Sequence, residues 1–435
     1  MPPARVVNPE ETFTLEAANI AFVVISAAMV MLMTPGLAFF YGGMVRVKSA
    51  LNMLMMSFIS LGIISLLWVL YGFSLAFSGD SGGIIGDLEA AGFPQDIYLV
   101  DGELDGALLS FAVFQLMFAI LTPALMSGAL ADRVKFASWA LFITLWATVV
   151  YFPVAHWVWA EDGWLYDLGV IDFAGGTAVH INAGAGALGA VLVVGRRIGF
   201  KKEPMRPHNL PMVLLGAALL WFGWFGFNAG SELAPDGTSS LMALNTQVAT
   251  GAAVVGWLAY ERIRHGAFTT LGAASGAIAG LVAITPSGAH VNPMGAMLIG
   301  IVAGVACSWA VSLKFKLGYD DSLDVVGVHL VGGLIGTLMV GFLATQGRAG
   351  TEQFGKQALG AVSVMAYSFV VSYLLALLIQ RTIGFRASEE EETGGLDLAY
   401  HAETGYDFSQ AGSGSAGASN GVPAPVAADV KKVDA

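Results

Sequence analysis

Eleven stretches of mostly apolar residues, each about twenty long or longer, follow one another along this chain. A run of that length is what a helix needs to cross a bilayer. They lie near 19–42, 50–77, 107–131, 136–159, 174–195, 211–230, 241–261, 267–285, 289–313, 325–345 and 357–381. Hydrocarbon offers no water to satisfy backbone amides and carbonyls, so runs like these cross as helices. Little remains to fold otherwise. Only 12% of the 435 residues are charged, 56% are hydrophobic, and mean hydropathy is +0.70. Soluble proteins carry about 25% charged residues, so the composition excludes a disordered chain, a nucleic-acid binder and almost any soluble enzyme. Glycine is abundant, 55 residues, which suits close helix packing in a bilayer. The single cysteine, Cys307, excludes an internal disulfide framework and a multi-cysteine metal site. The first run has no basic region before it and is too long for a cleaved signal peptide. The predicted class is an all-α polytopic membrane protein of eleven helices.

Basic residues orient it. The loops after odd-numbered spans, the end of the eleventh span and the segment beyond it hold seventeen of the twenty Lys and Arg; Arg5, Arg348 and Lys356 lie on the other side. The positive-inside rule then places the N-terminus outside and the C-terminus in the cytoplasm. The predicted parts are an outside N-terminus over 1–18, a membrane domain over 19–383 and a cytoplasmic tail over 384–435. Residues 79–105 form an outside loop with seven acids and no Lys or Arg. It either concentrates cations at the surface or simply keeps the loop soluble. The tail carries nine acids and three bases, and its end, Ser409 to Ala435, reads as disordered.

Ionisable groups at membrane depth mark function, because each is costly unless it faces a cavity or partner. His180 lies about 9 Å into span five at 1.5 Å per residue, and His329 lies just inside span ten. Each follows a valine and precedes a glycine by four residues, Gly184 and Gly333. They stand five spans apart. An odd offset inverts direction, so spans 1–5 and 6–10 are read as inverted repeats whose interface brings both imidazoles to one depth. The alternative is two unrelated histidines, each bonded to a helix carbonyl. Phe114 and Phe118 share one face of span three at i and i+4. Trp159 closes span four, and Trp224, Phe227 and Ser231 end span six. Tryptophans at span ends commonly serve as interfacial anchors. Asp172 and Asp324, just before spans five and ten, read as helix N-caps.

Three segments carry a resemblance: Asp172-Phe173-Ala174-Gly175-Gly176-Thr177-Ala178-Val179-His180-Ile181-Asn182, Gly223 through Ser231, and Asp324-Val325-Val326-Gly327-Val328-His329. They resemble signature segments of the Amt/Mep/Rh ammonium transporter family, the Amt branch above all, and the likeness runs from about Ala18 to Gly384. The tail from Gly395 to Tyr406 also resembles the cytoplasmic end of Amt proteins. The resemblance implies an eleven-span protomer in a homotrimer, with one path for ammonium or ammonia through each protomer. Carried over by motif, Trp159, Phe118 and Ser231 form the external ammonium site, Asp172 is the acid near the entry, Trp224 a pore-lining tryptophan and Thr285 a residue of the outer vestibule. Phe118 and Phe227, with Phe114, gate the pore. His180 and His329 are the twin histidines of its centre, and Asp324 is a structural acid. Span four is the looser match, since Ala160-Glu161-Asp162 stands where a glycine-rich turn is expected. The resemblance also implies a cytosolic PII-type regulator docking on the tail face. No metal, cofactor or nucleic acid is implied, and the chain is not expected to be an enzyme.

Chemistry fits the implied substrate. Aromatic faces attract cations, and a serine hydroxyl accepts an N–H bond. Behind two phenylalanines an ion loses its hydration, which disfavours the charged form. Ammonium answers by releasing a proton and potassium cannot. Two imidazoles in contact then bond ammonia or relay its proton. A sensor signalling through the tail is the second reading, weakened because the 52 tail residues hold no enzymatic domain. A histidine-metal membrane enzyme fails for want of further ligands at membrane depth.

Overall fold

The computed structural model describes residues 9–406, with side chains described from Glu16. Arg5, Lys431, Lys432, Phe408 and the segment Ser409 to Ala435, read above as disordered, lie outside the described residues. Among the described residues, ten helices are long and apolar enough to cross a membrane: Glu16–Met44, Val47–Phe77, Gly106–Leu130, Phe136–Leu168, Gly176–Val194, Leu210–Glu232, Gly237–His265, Pro293–Leu317, Val326–Leu343 and Thr351–Thr382. The remaining expected span, the eighth, is the shorter helix Thr270–Ile284, which a turn follows from Thr285. The acidic segment adds a small departure from all-helix, a two-stranded hairpin pairing Leu99–Val100 with Glu103–Leu104.

Side-chain oxygens start several spans by accepting from orphan amides of the first turn. Asp105 accepts from Leu108, Asn209 from Met212, Thr269 from Gly272 and Asn292 from Gly295. At the seventh span Asp236 and Ser239 cap each other reciprocally.

The packing repeats at an offset of five. Span one packs on two and three as span six packs on seven and eight; two packs on four as seven on nine; three packs on five as eight on ten. Spans one and six, and spans five and ten, also pack on each other. The inverted repeat is therefore a property of the fold.

On the base-rich face the tail is tied down. Two short helices, Glu389–Gly394 and Leu396–His401, follow the last span. Glu392 is buried, accepting from Arg386 at 2.7 Å and from the Ile198 amide at 2.6 Å, with Arg46 at 3.5 Å. Asp397 accepts from the Leu51 and Asn52 amides at the start of span two, at 3.0 and 2.8 Å. Arg197 joins Asp320 and Asp132 beside them. On the opposite, acid-rich face His156 is buried between the Ala76 carbonyl and the Asp80 carboxylate, each at 3.1 Å. That bond holds the Asp80 carboxyl below the usual carboxylate range, so this member of the acidic segment is committed to structure.

Candidate functional site

Spans five and ten both open with a π-turn, Gly176–Ile181 and Val326–Leu330, and a histidine occupies the next-to-last position of each. Such widened turns recur at functional sites because they displace a side chain from the regular helical ladder. An acid anchors each. Asp172 accepts from the amides of Gly175, Gly176, Thr177 and Ala178 at 2.6–3.0 Å. Burial pushes its carboxyl up to about 6 against the lowering effect of those amides. At the second start the expected cap does not form. Asp324 takes a left-handed backbone, φ 66°, and its carboxylate meets Lys314 at 2.6 Å. The capping falls to Asp321, which accepts from Val325 and Val326 at 3.0 and 2.7 Å. The reason is register: Asp172 precedes His180 by eight residues, and eight residues before His329 stands Asp321. The repeat itself carried that signal.

The spans cross at the two glycines. A Cβ on Gly184 would stand 2.5 Å from the Leu330 amide nitrogen, and one on Gly333 would stand 2.9 Å from the Gly176 carbonyl. Only residues without a side chain allow that approach. It sets the imidazoles face to face, centroids 5.3 Å apart at 25°, with Nδ1 of His329 3.3 Å from Nδ1 of His180. One of those nitrogens must carry the hydrogen and the other accept it. Nε2 of His180 is buried and has no hydrogen-bond partner among the described residues.

Above the pair stands a column of rings. Phe227 lies over His180 at 6.0 Å and stacks on Phe118 at 4.2 Å and 29°. Phe118 meets Trp159 edge-on at 5.8 Å and 86°, and Phe114 braces it at 4.9 Å. Trp224 stacks on His180 from the side at 5.4 Å and 23°. Phe114, Phe118, Phe227 and both histidines are buried, whereas Trp159 is half-buried at the acid-rich face. The stacked phenylalanines close the column.

Hydrogen bonds fix its members. The Trp159 indole donates to the Asp172 carbonyl at 3.0 Å. The Trp224 indole donates to the Thr285 hydroxyl at 2.9 Å, which donates on to Asn228 at 3.1 Å, and Asn228 donates to Thr246 at 2.9 Å. Thr285 is thus not a vestibule residue open to solution; it is fully buried and orients Trp224. Asn228 and Thr246, which the sequence reading left out, complete that chain; an amide at membrane depth, next to Phe227, was the available signal. The Ser231 hydroxyl donates to the Phe227 carbonyl at 2.9 Å, leaving its oxygen free to accept, and neighbouring Gly230 abuts the Phe114 ring.

Comparison with known proteins places this arrangement. The family model described as "Ammonium Transporter Family" matches residues 21–406. A protein named "Ammonium transporter" from Mycobacterium tuberculosis is 53% identical over 440 residues, covering 92% of each chain. A solved structure described as "Sensor Amt Protein" superposes with a TM-score of 0.84 at 32% identity, covering 89% of this chain and 99% of its own. Mep2 from Saccharomyces cerevisiae superposes at 0.78 with 34% identity, covering 86% and 88%. The family match spans every element that builds the ring column and the histidine pair, and on that ground the chain belongs to the ammonium transporter family.

Proposed function

We propose that this chain carries ammonium across the cell membrane, with the acid-rich face outside and the tail in the cytoplasm, as a homotrimer with one path per protomer. Trp159, Phe118 and the Ser231 oxygen capture the cation. Asp172 holds the entry backbone and adds a negative field, and Trp224 shapes the path beneath. Phe118 and Phe227, braced by Phe114, separate to admit the solute, which loses hydration there. Desolvation favours the neutral amine over its cation, so the proton leaves and ammonia passes along His180 and His329. The proton crosses separately, through the histidine pair, and the cycle moves charge. The observation that carries this reading is the histidine contact sealed beneath the ring column. A polar pair placed so deep costs several kcal/mol unless it meets a polar solute, and the unpartnered His180 Nε2 offers such a solute a bond.

The test is charge movement of purified protein in proteoliposomes on a supported membrane after an ammonium pulse. Wild type should give an ammonium current and none with potassium. His180→Ala combined with His329→Ala should lose the current or admit potassium. A folded double variant with wild-type ammonium current and continued potassium exclusion would refute the mechanism.

The second reading is a sensor that binds ammonium and signals through the tail, motivated by the superposition on "Sensor Amt Protein" and by tail helices seated on the span-one and span-five loops. Ammonium binding without any current or ammonia flux would favour it.

A further inference from the structure

The acid-rich face carries two Lys or Arg among its described residues, Arg348 and Lys356, and both line the same cavity. This cavity has a volume of 530 Å³ and shares Trp159 with the ring column. Its walls come from three places in the chain: the segment after span four, the turn after span eight and the start of span eleven. The Gln353 amide bonds the Gly169 carbonyl at 2.9 Å, and the Thr345 hydroxyl bonds the His290 carbonyl at 3.0 Å, so the three are tied together.

The charges are poorly compensated. Arg348 has no carboxylate partner among the described residues; its Nη1 stands 3.4 Å from Nδ1 of His290. Burial, and then the guanidinium itself, push that imidazole down to about 4, so at neutral pH it is an uncharged acceptor. Among the described residues Lys356 pairs with Glu352 alone, at 3.0 Å, and that carboxylate is 85% exposed and screened. Asp172 also lines the cavity, but its carboxylate oxygens are taken up by four amides. The Tyr166 hydroxyl on the rim has no partner among the described residues. A guanidinium, an ammonium and a phenol thus converge on one concave space beside the place where a cation is to be captured. Left bare, two positive charges there repel the substrate.

We propose that this cavity is a binding site for a small oxyanion such as phosphate or sulfate, held by Arg348, Lys356 and Tyr166, and that the bound anion strengthens ammonium capture at the neighbouring Trp159. Guanidinium forks match the spacing of two oxyanion oxygens, and lysine adds a point charge. The coupling is electrostatic: the anion cancels the local positive field, and exposed charges act over about 10 Å at 0.1 M salt. Only the coupling rests on the transport reading. The anion site stands without it.

The experiment therefore has two arms. In the first, inorganic phosphate is titrated by calorimetry into purified full-length protein against a chloride control. Saturable binding of one phosphate per chain is expected, lost in Arg348→Gln combined with Lys356→Gln while the melting temperature is kept. Absence of saturable binding, or equal binding in the variant, overturns the site. In the second, ammonium currents are compared in sulfate and in chloride at equal ionic strength. Half-saturation in wild type should fall about two- to fivefold in sulfate, as removal of one or two screened charges requires, and should not move in the variant. Phosphate binding with anion-independent half-saturation overturns the coupling. Binding with no current at all refutes transport and leaves the site intact.

Discussion

Asp172 shows how one buried carboxyl ties structure to pH. Its two oxygens absorb four amides that the π-turn would otherwise leave unbonded in a buried place, where each orphan donor costs about 1–3 kcal/mol. The sign of its pH dependence follows from burial. In the folded protein it titrates at about 6, above the 3.8 of an ordinary aspartate. The folded protein therefore holds this proton more tightly than the unfolded chain does, and the group favours folding most below about 4. That contribution declines as pH climbs from about 4 through 6. Asp172→Asn removes the titration. The stability advantage of wild type over the variant should thus be greater at pH 4 than at pH 7.5, by up to about 3 kcal/mol at roughly 1.4 kcal/mol per unit. Thermal unfolding of both proteins across that range is the measurement; an advantage independent of pH would mean the carboxyl is not raised. Asp321, lifted in the same direction by its own burial, is common to both proteins and drops out of the difference.

At the scale of elements, the crossing of spans five and ten is set by two missing side chains. Gly184→Ala adds one Cβ where the Leu330 amide nitrogen would stand at 2.5 Å and its Cβ at 2.7 Å. The helices must separate, and overpacking of this kind costs about 1–3 kcal/mol. The 3.3 Å approach of the imidazoles goes with them. The same substitution at Gly62 in span two meets no atom within 4 Å and should stabilise by about 0.4–1 kcal/mol through the unfolded chain. Gly184→Ala is expected to lower both melting temperature and ammonium current, and Gly62→Ala to lower neither. Equal behaviour would show that the crossing is not what holds the pair. The contrast also marks what a sequence displays. Spans were legible because a membrane fixes their length, and the histidine pairing was legible because an odd offset inverts direction. Which glycine bears a contact depends on register between distant segments, whereas the capping of span ten by Asp321 rather than Asp324 was legible in the repeat, eight residues before the histidine. The hairpin at 99–104 escaped because it has only two residues a side in a polar loop, and the cavity at Arg348 because its walls come from segments far apart along the chain.

The whole molecule joins a membrane body to the base-rich face that carries the tail, and the join is not where hydropathy ends. Phe385 is fully buried against Phe142, its carbonyl accepts from the Lys135 amide at 3.0 Å, and the Ala387 amide donates to the Arg133 carbonyl at 2.9 Å. Residues 385–387 therefore belong to the body rather than to a detachable tail. Glu392 belongs there too, since losing it would strip Arg386 of its 2.7 Å partner and leave Arg46 with Asp132 alone; breaking a buried pair from one side costs about 3–5 kcal/mol. A clean test of regulation must begin later, at Gly395. Deleting 395–435 keeps that network and removes the helix whose Asp397 caps span two, along with Tyr406, whose hydroxyl meets His208 at 3.0 Å and Asn209 at 3.2 Å. If the face shared by this helix and the loops after spans one and five is where a PII-type protein docks, the deletion should abolish co-purification with it. Asp397→Ala separates attachment from recognition. Loss of the cap costs about 1–2 kcal/mol, so the segment should become open to limited proteolysis and co-purification should weaken without vanishing, while ammonium half-saturation stays that of wild type. Undiminished co-purification after deletion of 395–435 would place the docking surface on the loops alone.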